Sequence, residues 1–137
     1  MLIKLSKENY DQIVTQAKNE FPLECCGLLA GIVTEDVISI EKVYSLTNID
    51  QSSEHFSLDP KEQFAALKQM RSEGHSLVGN YHSHPYTPSR PSEEDKRLAY
   101  DPDVLYGIMS LQDKEPVLNF FKIRGGDSVE RLDYRII

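Results

Sequence analysis

The chain has little with which to build a secreted or disulfide-held protein. Its 137 residues include two cysteines, Cys25 and Cys26, and these are adjacent. Neighbouring cysteines rarely bridge each other, because disulfide geometry is demanding. A disulfide scaffold is therefore excluded, and a reducing compartment suits the composition. Basic residues are scarce too: 15 Lys and Arg stand against 22 Asp and Glu, a formal net charge of -7. That balance argues against nucleic-acid and anionic-membrane partners, which require a basic surface. No apolar run is long enough to span a bilayer. The first ten residues lack the apolar core and cleavage site of a secretory signal. Together these absences lead to the expectation of a cytoplasmic protein. Internal repeats and low-complexity segments are missing as well. Residues 1–137 are expected to form a single domain, of a size that can bury a real core.

What is present reads as mixed strands and helices. Residues 2–6 suit a short strand, and Ser6 suits the cap of a helix running to about Glu20. The helix would bury Tyr10, Ile13, Val14, Ala17 and Phe21, at helical spacing, with Pro22 as its stop. Cys25 to Ile32 is a continuous apolar run, expected as a buried strand, and Val37 to Leu46 a strand pairing with it across a turn at 34–36. His55–Leu58 suits a short strand. Asp59, Pro60 and Glu62 form a helix start of the capping-box kind, with Phe64, Leu67 and Met70 facing the core and Gly74 ending the helix. Ser76 to Tyr81 reads as a strand, residues 85–91 as a proline-rich loop, and Ser92 as the start of a short third helix. Residues 104–111, 116–123 and 129–136 read as closing strands. Without regular βαβ alternation, the fold class is α+β, with helices flanking a mixed sheet.

The chemistry concentrates between Tyr81 and Asp95. His82 and His84 are two apart, a spacing that puts both imidazoles on one face of a strand. The loop then returns the chain, and Asp95 falls one turn into a helix. Two histidines and one carboxylate make a three-ligand zinc set with an open fourth position for water, whose pKa zinc lowers to about 7. Hydrolysis also needs a base to move that water's proton to the leaving amine. Glu24, at the mouth of a buried strand, is the candidate. Ser92, one helical turn before Asp95, would set a hydroxyl where it can donate to an oxyanion.

Each part has a plainer reading. Ser92-x-x-Asp95 is an ordinary helix cap, and taken alone that reading is favoured. A lone histidine is usually structural or solvated, and His55 and His75 are read that way. Glu24 alone is an ordinary exposed acid, and the two cysteines are small buried hydrophobes facing opposite sides of a strand. The joint pattern His-x-His-x7-Ser-x2-Asp carries the weight.

That pattern resembles the signature of the JAMM (MPN+, Mov34/JAB1-type) zinc metalloprotease family. Pro22 to Gly31 resembles the family's glutamate-bearing motif, and Asn48 with Glu54 to Pro60 its middle segment. The resemblance implies a curved mixed sheet of the JAB1/MPN, cytidine-deaminase-like kind. It implies zinc, one per chain, on His82, His84 and Asp95, with Glu24 as general base and Ser92 as oxyanion stabiliser. It implies hydrolysis of an amide or isopeptide bond at the C-terminal tail of a ubiquitin-like or sulfur-carrier (ThiS/MoaD-type) protein, with cysteine as one leaving group. The short turn at 112–116 is closer to stand-alone prokaryotic members than to eukaryotic deubiquitinases. The tail would add as a strand along a sheet edge. The competing expectation is a non-catalytic zinc-containing module that only binds a ubiquitin-like partner. A nucleobase deaminase is disfavoured because the Pro-Cys-x-x-Cys ligand motif is absent.

Overall fold

The computed structural model describes residues 1–125 and 127–137. Strand β1 (Leu2–Leu5) leads to helix α1 (Lys7–Glu20), then β2 (Cys26–Val33) and β3 (Val37–Leu46). Helix α2 (Pro60–Ser72) precedes β4 (Ser76–His84), and the short α3 (Glu93–Arg97) follows it. Strands β5 (Leu105–Ser110), β6 (Val117–Arg124), β7 (Ser128–Leu132) and β8 (Tyr134–Ile136) complete the chain. All eight strands form one sheet in the order β7-β6-β5-β4-β2-β3-β1-β8.

The expected last strand is divided. Residues 128–132 pair with β6 and residues 134–136 with β1, at opposite ends of the sheet, with only Asp133 between them. The sheet must therefore curl until its ends meet. The Asp133 carbonyl accepts from Ile3 N–H at 3.1 Å. Phe120 of β6 meets Tyr134 of β8 edge to face at 5.2 Å. The pairings mix parallel (β1–β3, β1–β8, β4–β5) with antiparallel, so the α+β mixed curved sheet expected from the sequence is what forms.

The central strands are buried on both faces, which is why Cys25 to Ala30 reads as unbroken apolar sequence. Cys25 and Leu29 join the larger core with Ile13 and Ala17 of α1. Leu28 and Ala30 face the other way, onto Ala66 and Met70 of α2. Helix α1 is fastened through Gln16, which donates to the Cys26 carbonyl at 2.9 Å and accepts from Tyr81 Oη. Tyr81 reaches across β2 over Gly27, where a Cβ would clash with the phenol end of Tyr81.

Several local expectations fail for identifiable reasons. Phe21 lies beyond α1's last turn, 45% exposed, against Tyr86. Phe64 is 70% exposed, because α2 packs through the small Ala66 and through Met70 instead. Asp59 does cap α2, but the Glu62 carboxylate turns to Thr47, accepting from its N–H at 2.6 Å and its hydroxyl at 2.8 Å, so no reciprocal box forms. Residues 55–58 contribute an isolated bridge, Asn48 to Leu58, rather than a strand. Strand β4 runs on through His84, to the residue before Pro85.

Met70→Ala should lower stability in urea unfolding by about 2–5 kcal/mol, as for other buried truncations. Phe64→Ser should change it by less than about 0.5 kcal/mol. A large loss at position 64 would restore it to the core.

Candidate metal and hydrolytic site

The site begins with the pairing of β2 and β4. Their register sets Cys26 opposite His82. One pair further, Cys25 O accepts from Ser83 N–H at 3.0 Å, and Ser83 Oγ accepts from Cys25 N–H at 2.7 Å. The next pair in that register is Glu24 and His84. On the His84 side of the register shift at Leu29/Ala30, even-numbered residues of both strands share the α2 side of the sheet, so Glu24, Asn80, His82 and His84 lie on one face. Glu24 is held by its backbone: its N–H donates to Ser52 O at 2.8 Å, and its carbonyl accepts from Asn48 Nδ2 at 3.0 Å.

Asp95 arrives by a pinned loop. His84 Nδ1 donates to Pro88 O at 2.9 Å, Ser110 Oγ to Thr87 O at 2.6 Å, and Ser89 Oγ to Ile108 O at 2.7 Å. The loop is thus tied down on β5 before Ser92 caps α3. Here a true capping box forms: Ser92 Oγ accepts from Asp95 N–H at 3.0 Å, and Asp95 Oδ2 accepts from Ser92 N–H at 2.9 Å.

Three expected ligands converge. The Nε2 atoms of His82 and His84 are 3.1 Å apart, and Asp95 Oδ2 lies 3.2 Å from the first and 3.1 Å from the second. Among the described residues this is the group of His, Cys, Asp and Glu side chains able to hold a metal ion. Glu24 stands outside it, and so do both cysteines. The Pro88 carbonyl can only accept, so His84 keeps its proton on Nδ1 and turns the Nε2 lone pair toward Asp95. Lone pairs and a carboxylate oxygen at such range repel one another unless a proton or a cation lies between them. Donors of a tetrahedral zinc, at about 2.0–2.1 Å from the ion, stand roughly 3.3 Å apart. The separations and the donor chemistry both fit a metal centre.

Electrostatics separate the groups. Burial opposes ionisation of Asp95, but hydrogen bonds to His82 and His84 prevail and hold it well below the usual carboxylate range. Burial pushes His82 down. Burial acts the same way on His84, yet its bonds to Asp95 and Pro88 prevail and raise it. Burial lifts Glu24 to about 8, with the charge of His84 partly offsetting the rise. That places Glu24 where a general base is useful near neutral pH.

Beside His82 and Asp95 opens a cavity of about 430 Å³, walled by Phe56, Leu58, Leu98, Tyr106 and Ile108, with Asn80 on the same strand face as the histidines. Strand β4 is paired to β2 on one side and β5 on the other, so the expected strand addition has no free edge there. Residues 54–58 line one side of the cavity. His55, read as structural or solvated, lies 2.8 Å from the carboxylate of Glu94, and both residues line the cavity. Sequence reasoning also missed the work of Asn48 and Phe56. Both lie within the middle segment already singled out, but only the fold shows what they touch.

A family model described as prokaryotic homologs of the JAB domain matches residues 6–124. The chain belongs to that family. Over 101 residues this JAB domain is 35% identical to the CysO-cysteine peptidase of Mycobacterium tuberculosis, covering 74% of the chain and 68% of the relative. It is 31% identical over 113 residues to the desampylase of Haloferax volcanii, covering 79% and 80%. A solution structure from Desulfitobacterium hafniense, 46% identical, aligns with a TM-score of 0.90 over 98% of this chain and 92% of its own. No helix among the described residues of the JAB domain is long and apolar enough to cross a membrane.

The Glu24 shift has a measurable consequence. Between the ordinary value of 4.5 and about 8, the unfolded chain releases a proton that the folded, metal-free protein retains. Folded stability is therefore full below that window and falls as pH rises through it. Metal-free Glu24→Gln should match the parent near pH 5 and exceed it near pH 8.5 by on the order of 1–3 kcal/mol. Urea midpoints at the two pH values measure this; equal differences at both would assign Glu24 an ordinary pKa.

Proposed function

We propose that this protein is a zinc-dependent metallopeptidase. It hydrolyses the amide or isopeptide bond that joins a small group to the C-terminal tail of a ubiquitin-like or sulfur-carrier protein, in the cytoplasm, with residues 1–137 acting as one domain. The observation that carries the reading is the convergence of His82, His84 and Asp95 with a buried glutamate beside them and no fourth His, Cys, Asp or Glu ligand among the described residues. Structural zinc sites are usually closed by four protein ligands, mostly cysteine, whereas three ligands leave a position for reaction. The relatives named as a CysO-cysteine peptidase and a desampylase support the same reaction class.

His82, His84 and Asp95 would hold the metal. When bound, zinc supplies Lewis acidity and makes water acidic enough to attack at neutral pH. The remaining work falls to the chain. Glu24, opposite His84, takes the proton from the attacking water and returns it to the leaving nitrogen as the carbon–nitrogen bond breaks. A carboxylic acid and a free amine result. Ser92 Oγ uses one lone pair to cap α3 and keeps its O–H for the carbonyl oxygen as negative charge develops there. The cavity beside Asp95 receives the tail, and small tail residues allow the scissile bond to approach the buried donors.

The purified protein should hold about one zinc per chain and lose hydrolysis of a carrier-tail amide on chelation. Glu24→Gln should retain zinc and lose roughly 10²–10⁴-fold in kcat. Ser92→Ala should lose roughly 10²–10³-fold in kcat. Near-parental turnover by Glu24→Gln would remove it as the base. Stoichiometric zinc with tight carrier binding and no product would favour the non-catalytic module.

A further inference from the structure

The two histidines of the site are held in different ways. His84 has its second nitrogen bonded to the Pro88 carbonyl at 2.9 Å, which fixes both its tautomer and its ring plane. His82 has no counterpart. Its Nδ1 is buried and finds no hydrogen-bond partner among the described residues. An imidazole with one free nitrogen can turn about its last torsion unless something flat lies against it. Phe56 does so: its ring stacks on His82 at 4.5 Å between centroids and 20° between planes.

We infer that Phe56 is a positioning residue, which orients the His82 imidazole by stacking where no hydrogen bond at Nδ1 does so. The inference rests on the metal-site reading above and goes beyond it.

Phe56 is suited to the role because its loop is anchored to the site. Asn48, itself buried, donates to the carbonyls of Glu24 at 3.0 Å and His55 at 2.9 Å, and its Oδ1 accepts from Ser57 N–H at 3.2 Å. Ile49 N–H donates to Ser57 O at 3.1 Å. The residues on either side of Phe56 are thus tied to the amide that also ties Glu24. One asparagine sets the base and the plane that steadies His82. Phe56 also walls the cavity, so the aromatic ring shields one side of His82 from water.

The test uses the full chain with Phe56→Tyr, which keeps a planar ring, and Phe56→Leu, which fills space without one. Zinc affinity is read by competition with a chromophoric chelator. Phe56→Leu should bind zinc roughly 10- to 100-fold more weakly, the usual cost of losing a ligand's supporting partner. Phe56→Tyr should keep the parent affinity. In metal-free protein, the His82 ring protons should be displaced upfield by the aromatic ring current in the parent and in Phe56→Tyr, and return to ordinary positions in Phe56→Leu. Unchanged affinity in Phe56→Leu, or an equal loss in both variants, overturns the inference. So does the absence of the upfield displacement in the parent. A parent that takes up no zinc defeats the metallopeptidase reading, while the histidine resonances still decide the role of Phe56.

Discussion

The pairing of Cys25 with Ser83 is the contact on which the rest of the site depends. It is completely buried, and it uses the Ser83 side chain as well as the backbone. Two antiparallel strands could pair in several registers, but a slip by one residue would turn every side chain to the opposite face. The extra bond to Ser83 Oγ exists in only one of them. In that register Glu24, His82 and His84 lie on one face, and the core residues Leu29 and Tyr81 lie on the other. The adjacent strands on both sides then leave β4 no freedom to shift.

A polar cluster on such a strand is expensive. Glu24, His82 and His84 are each about 5% exposed or less, and burial disfavours the charged form of all three. The surroundings offset this cost unequally. Asp95 has two imidazoles and the Ser92 N–H close beside it, and they hold it ionised. Glu24 has only charges at a distance and rises. Two carboxylates on one site are thereby driven apart in acidity, which separates the residue suited to hold a cation from the residue suited to carry a proton. The apolar faces of β2, packed by α1 on one side and α2 on the other, supply the stability that such a cluster consumes.

Much of this was legible in the chain. The two-residue spacing of His82 and His84 and the return to Asp95 follow from strand geometry and from three prolines that forbid a continuing strand. The doubly buried β2 is announced by its unbroken apolar run. The failures have a common cause: they depend on partners distant in sequence. Helical spacing marks Phe64 as a core position, but whether it is buried depends on how near α2 lies to β2, and Ala66 lets the contact close elsewhere. Glu62 meets the rule for a capping box, yet Thr47 offers it two donors. Nothing local indicates that Asp133 divides one strand between two ends of the sheet.

Ser92 shows why two readings of a motif need not exclude each other. As a cap it needs an oxygen lone pair; as an oxyanion donor it needs a hydrogen. A hydroxyl carries two lone pairs and one proton, so the roles draw on different parts of the group. The capping bond to Asp95 N–H fixes the oxygen, and it also fixes the turn that carries the Asp95 carboxylate back to Ser92 N–H and toward the histidines. The cap therefore orients the Asp95 carboxylate and leaves the serine proton free at the edge of the same site. An alanine there would remove both at once. An asparagine would keep a capping oxygen but lose the hydroxyl proton, separating loss of chemistry from loss of the cap.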